Sequence, residues 1–279
     1  MSLHFSASTR DPLQPRHSGY LTTATTHGEA FVARSRSQLI RLDPGDVDSN
    51  TASARLLCVL AFAFLRQYRR YGIDTQEERA WRWLHLLRGV RIVHTSLLKL
   101  DQEVNSNIKQ DMMPDLFPCT RACSAGPIRS SKGKVMLAYI QQTHAQGFEM
   151  LYAALYDGTL NFAEDANPGA LAAIRCLERI TEHVCRWDEM SSLFRAVCEW
   201  PGNLAEDFVR QLTQCHVPAL IIYAHWLMLV TLAEDLWWVG DMGAAGIRAV
   251  AKLVAGTDGT LLELLQQPLQ LLALEDAGQ

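Results

Sequence analysis

The sequence predicts an all-α protein, a single helical domain with a central buried apolar helix. Three observations carry that expectation. From Thr51 onward apolar residues recur at steps of three and four. No alternating strand pattern of useful length occurs, and no repeat with a period of roughly 20–50 residues. One run behind Pro218, PALIIYAHWLMLVTLA, is apolar on every face apart from His225 and small polar groups. Such a helix lies in the centre of a core or in lipid.

The composition bounds the rest. A chain of 279 residues with 48% apolar and 20% charged residues fits a compact globular protein. A net charge of −4 and a pI near 6.1 give no global field that draws the chain to DNA or anionic lipid. Seven cysteines, an odd number set mostly in helical patterns, read as small buried hydrophobes of a reducing compartment. The N-terminus has no apolar h-region, so the expected location is nucleus or cytoplasm.

Residues 1–50 are expected to be largely disordered, since Met1 to Gly28 is rich in Ser, Thr, His and Pro without helical period. The helical domain is assigned to 51–279. Its first helix carries Leu56, Leu57, Leu60, Phe64 and Tyr68 and closes at Gly72. The next, about 77–100, aligns Trp83, Leu87, Val90, His94 and Leu97, with Gly89 read as a close packing contact. Residues 101–134 form the longest irregular stretch, ending in the polar run from Ser130 to Lys134. A helix follows from Val135 to Ala154. After a break at Asn167-Pro168-Gly169, a stripe of Leu171, Ile174, Leu177, Val184 and Trp187 continues through Leu193, Phe194 and Val197.

Trp200-Pro201-Gly202 reads as a stop signal, and Asn203 with Glu206 as the capping box of a helix presenting Leu204, Phe208 and Leu212. Pro218 suits the first position of the apolar helix, whose sixteen residues fall short of the roughly 20 a bilayer needs. No membrane span is expected. A helix from about Ala244 to Val254 and a last leucine-rich helix kinked by Pro268 complete the chain.

No catalytic or metal constellation is complete, and no cofactor is expected. Cys119 and Cys123 have zinc half-site spacing, but no second pair follows, and Cys215-His216 is remote. GDMGAAG lacks the preceding strand that a nucleotide fingerprint needs. The pairs Glu164-Asp165 and Asp188-Glu189 could hold magnesium through substrate phosphates in an isoprenoid-type enzyme, yet Arg186 and Arg195 beside the second pair suggest surface pairing. The arginines from Arg55 to Arg91 alternate with Asp74, Glu77 and Glu78 and read as a solvated face, not a nucleic-acid site. His225 reads as a core histidine bonded to a backbone carbonyl.

What remains is hydrophobic capacity. Tyr223, Trp226, Leu227, Val230, Trp237 and Trp238 bring four large aromatics into two apolar segments. Close packing is the simpler reading; the sharper one is a pocket for a flat apolar molecule.

Trp200-Pro201, Phe208, the PALIIYAHWLML helix and Trp237-Trp238-Val239-Gly240, with the upstream block WRWLHLLRGVRIV, resemble the C-terminal regulatory domain of fungal binuclear zinc-cluster transcription factors of the sterol uptake control type. The likeness spans approximately Thr51 to Val254. It implies a non-enzymatic effector domain that senses a sterol or other apolar ligand and pairs as a homodimer or with a heteropartner factor. It also implies pocket positions at Tyr223, Trp226, Leu227, Trp237, Trp238, Gly240 and Gly243. The family's DNA reader needs six cysteines in a short basic segment, and residues 1–50 contain none. Direct nucleic-acid binding by this chain is therefore not expected, and a truncated chain, a stand-alone sensor or a heteropartner of a full-length factor would each fit. The alternative function is an all-α enzyme of isoprenoid or secondary-metabolite biosynthesis with Asp188 and Glu189 in a cavity; a third is a membrane-associated protein.

Overall fold

The computed structural model describes Ala30 and residues 56–60, 62, 83–89, 91, 130–162, 167–187, 190–236, 238–257 and 259–277. The chain divides into two units, Met1–Val47 and Asp48–Gln279, and the helices below belong to the second. Among the described residues the fold is all-α, with no strand. Apart from Ala30 the N-terminal segment, with Gly72 and the irregular stretch up to residue 129, lies outside them.

Residues 56–60 and 83–89 are helical. In the first, Leu57 of the expected stripe is buried, as are Cys58 and Phe62 beside it, while Leu56 is exposed. Phe64 and Tyr68 lie outside the described residues. In the second, Trp83, Leu84 and Leu87 are buried. Gly89 corrects an expectation. A Cβ built there meets nothing within 4 Å among the described residues, so none of their backbone approaches it. Gly89→Ala should therefore stabilise the fold by up to about 1 kcal/mol through helix propensity alone, read as a rise in the urea midpoint.

Helix α1 (Ser131–Tyr156) begins four residues before its expected start, because Ser130 caps it by accepting from the Gly133 amide at 2.9 Å. The polar run expected as loop is thus its first turn. Beyond its end Gly158 takes φ +83, a left-handed turn, and Leu160 and Phe162 fold back into the core. Helix α2 (Asn167–Trp187) holds Pro168 in its first turn, where no amide partner is lost. It buries Ala170, Ala173, Ile174, Leu177, Ile180 and Val184. Trp187, expected on that stripe, is instead 55% exposed, and Leu171 is half-buried.

Helix α3 (Met190–Asn203) passes through the expected stop at Trp200-Pro201-Gly202. Pro201 cannot donate to the carbonyl of Val197 four residues back. The indole Nε1 of Trp226 donates to that oxygen instead, at 3.3 Å. A side chain from another helix thereby supplies the hydrogen bond that proline withholds. Asn203 is not a cap for the next helix; its Nδ2 donates to Glu199 O at 2.8 Å, satisfying a carbonyl near the end of its own helix. Helix α4 (Glu206–Thr213) starts after Ala205, which offers no side-chain cap, and relies on Glu206 and Asp207 in its first turn against the positive helix end.

Helix α5 (Val217–Leu232) is the central element, with Pro218 in its first turn and every residue from Pro218 to Leu232 buried. It lies against α1 to α4, then α6 (Met242–Val254) and α8 (Gln266–Ala277), and meets α6 most extensively. The whole circumference is covered by helices, which is why no polar face was needed. Its buried Thr231 donates its hydroxyl to Leu227 O at 2.9 Å. Among the described residues no single helix is long and apolar enough to cross a membrane; α4 and α5 pass such a test only together and are bent by 98°.

A turn with Gly240 at φ +52 leads into α6. The short α7 (Gly259–Glu263) and α8 are separated at Leu264-Leu265, so Pro268 falls in the first turn of α8 and does not kink it. Lys132 at the start of α1 reaches Glu234 beyond α5 at 3.0 Å and Glu275 on α8 at 3.3 Å. Arg248 on α6 pairs with Asp276 at 2.6 Å, completing a charged clasp on the C-terminal helix.

Candidate functional site

The residues singled out in the sequence fall into three places. Tyr223 and Trp226 lie one turn apart on α5 and face the N-terminal helical segments and α3. Trp226 is fully buried with a ring on each side: Trp83 at 5.4 Å and 10°, and Trp200 at 5.5 Å and 23°. Tyr223 stacks on Trp226 at 5.3 Å, and Phe62 stands 6.5 Å from it. Trp200 also meets Phe208 edge-on at 6.2 Å. Its Nε1 donates to Ala173 O at 2.9 Å, so this buried indole is satisfied. Leu227 and Val230, both buried on α5, extend the same interior.

Trp238 lies apart from that stack, half-buried, with its ring edge-on to Phe194 of α3 at 5.9 Å. Gly240 forms the turn before α6. Gly243 faces α5: a Cβ there would fall on the amide nitrogen and hydroxyl of Thr231 and 2.7 Å from its Cα. Gly243 therefore lets two helix backbones touch. Trp237 lies outside the described residues, as do Glu164, Asp165, Asp188, Glu189, Cys119 and Cys123.

Two small cavities occur elsewhere. One of about 130 Å³ between α2 and α3 is lined by Arg179, Ile180, His183, Ser192, Arg195 and Glu199. Glu199 there accepts from Arg179 at 3.1 Å and lies 3.6 Å from Arg195, so its charge is taken up within the wall. The other, of about 70 Å³, lies where α1, α5 and the α7–α8 junction meet, with Thr143, Gly147, His225 and Gln267 among its walls. Gln267 donates to the Thr143 hydroxyl at 2.6 Å. Sequence pattern does not reveal either cavity, because each joins helices whose register is set by tertiary packing. Among the described residues no group of three or more His, Cys, Asp or Glu is placed to hold a metal ion.

His225 is the buried titratable group of the second cavity. Its Nε2 donates to Leu264 O at 2.9 Å, the carbonyl bond expected for a core histidine. Burial pushes its pKa down to about 4, against the hydrogen bonds to Leu264 and Gln267. The folded state thus resists a proton that the unfolded chain accepts near the ordinary 6.5. The sign follows: stability from this group is complete above pH 6.5 and is lost as pH falls toward 4, by about 3 kcal/mol in all. Urea unfolding at pH 7.5 and 4.5 should show a steeper loss for the native chain than for His225→Gln, which keeps a donor but does not titrate.

No family model, curated protein or solved structure matches the chain. The resemblance to zinc-cluster regulators rests on the sequence blocks quoted above.

Proposed function

We propose that the chain is an effector domain of transcription regulation of the fungal zinc-cluster kind, without enzymatic activity and responsive to a sterol or similar apolar ligand in the nucleus or cytoplasm. One observation supports this reading above others. The aromatic residues of three separate blocks that carry the resemblance, Trp83, Trp200 and the Tyr223–Trp226 pair, converge on a single stack. A domain that spends its largest side chains on one junction between three sequence-distant segments has a natural point at which a ligand can bias packing.

The cavities described above among the described residues, about 70 and 130 Å³, are smaller than the roughly 300 Å³ at which pockets for drug-sized ligands begin. In this reading a sterol enters by parting rings, with Trp83 moving off Trp226 while α3 and α5 hold the other side. The loss is modest, since each aromatic pair contributes about 0.5–1.5 kcal/mol beyond its buried area. Ligand-free and ligand-bound packings then differ in where the helix at 83–89 sits.

Two measurements test the proposal. Sterol delivered from cyclodextrin should raise the melting temperature by several degrees and alter tryptophan emission; no shift with any sterol removes the ligand. Fused to an unrelated DNA-binding module, the chain should change reporter transcription when sterol is depleted, and a flat reporter with and without sterol removes the regulatory role.

A further inference from the structure

We propose that the cavity between α2 and α3 binds a small phosphate-class oxyanion, either free phosphate or the phosphoryl group of a small monoester. The site does not rest on the apolar-ligand reading. Helical spacing builds it from two facing walls. Arg179 and His183 stand one turn apart on α2, and Ser192, Arg195 and Glu199 follow at successive turns of α3. Ile180 and Ala196, 4% and 2% exposed, give the same cavity an apolar lining. Charges there are less screened than on an open surface.

Charge, donor geometry and size select the ligand. Glu199 accepts from Arg179 Nη2 at 3.1 Å and lies 3.6 Å from Arg195 Nε. One carboxylate thus meets two guanidinium groups, which leaves one positive charge in excess among the described lining residues. A guanidinium carries five N–H donors. Among the described residues the bonds of Arg179, to Glu199 and to Cys176 Sγ at 3.9 Å, both use Nη2, so Nε and Nη1 still point donors at a ligand. Ser192 and His183 add a hydroxyl and an imidazole to the lining. Polar groups converging from two helices suit a tetrahedral phosphoryl group, whose oxygens point in different directions; a planar carboxylate is satisfied by one arginine fork. A cavity of roughly 150 Å³ accommodates benzene, so about 130 Å³ has room for a phosphoryl group. Arg179 is 61% exposed, so an ion reaches it without any helix moving. Arg91, whose side chain lies against Gly202 one turn beyond Glu199, adds to the positive field.

The test titrates the full chain with inorganic phosphate at constant ionic strength, followed by calorimetry and phosphorus NMR, with acetate and glycerol phosphate in parallel. Saturable binding of one phosphate per chain is expected, weakened roughly tenfold in Arg179→Gln and in Arg195→Gln. Arg179→Gln changes an exposed head group, so it keeps the fold, and an unchanged melting temperature in chloride verifies that. Tighter binding of glycerol phosphate than of phosphate assigns the site to monoesters, and equal or weaker binding assigns it to the free ion. No saturable binding of phosphate at millimolar concentrations, acetate bound as tightly as phosphate, or phosphate binding that either arginine variant leaves unchanged overturns the assignment.

Discussion

Trp226→Ala should lower the unfolding free energy by about 4 kcal/mol, the largest loss available from a single side chain here, and the melting temperature by roughly 8–16 °C. Two costs coincide at this position. The ring is fully buried and stacked against Trp83, Trp200 and Tyr223 at 5.3–5.5 Å, so its removal empties the centre of the aromatic junction. Its Nε1 also donates to Val197 O, the acceptor that Pro201 leaves unserved, so alanine strands a buried carbonyl in mid-helix. Trp226→Phe separates the two, restoring most of the stacking but not the donor, and should recover only part of the loss. The emptied space has the shape of an indole with a carbonyl at its edge. Adding indole should raise the melting point of Trp226→Ala but not of the native chain, whose site is filled. Equilibrium unfolding in guanidinium with and without indole measures both.

That double role explains why some of this fold was legible in the sequence and some was not. Helix α5 was readable because a run apolar on all faces is stable only where its whole circumference is covered, and its sixteen residues fall short of a bilayer span. The interior of α2 was mostly readable from the spacing of Ile174, Leu177 and Val184. Trp187 and Leu56 were misplaced because spacing alone does not say how far a neighbouring helix covers a stripe, and both side chains are exposed. The helix through Trp200-Pro201-Gly202 was hidden for a different reason. Proline stops a helix through one missing hydrogen bond, and its replacement comes from a residue twenty-five positions later (226 − 201). Tyr223 and Trp226 were identifiable as an aromatic concentration, but their partners came from segments whose relative register no local pattern encodes.

Glycines provide the sharpest contrast between local pattern and tertiary setting, and Gly243→Ala should cost about 3 kcal/mol although alanine is the better helix former. The added methyl would land on the backbone of Thr231, its nitrogen and its Cα, and on a hydroxyl held by Leu227 O. No rotamer change relieves that overlap, so α6 must lift away from α5 along the most extensive helix contact in the fold. At Gly147 the same methyl would meet only the end of the Gln267 side chain, which can swing aside at the expense of its bond to Thr143. At Gly89 it would meet none of the described residues. One chemical change at three helical positions should therefore give a large loss, a small loss and a gain, in that order. Guanidinium unfolding of the three single variants checks the ranking. A Gly243→Ala protein as stable as the native chain would mean that α5 and α6 do not touch at Thr231, and that the enclosure of the central helix is looser than the geometry here requires.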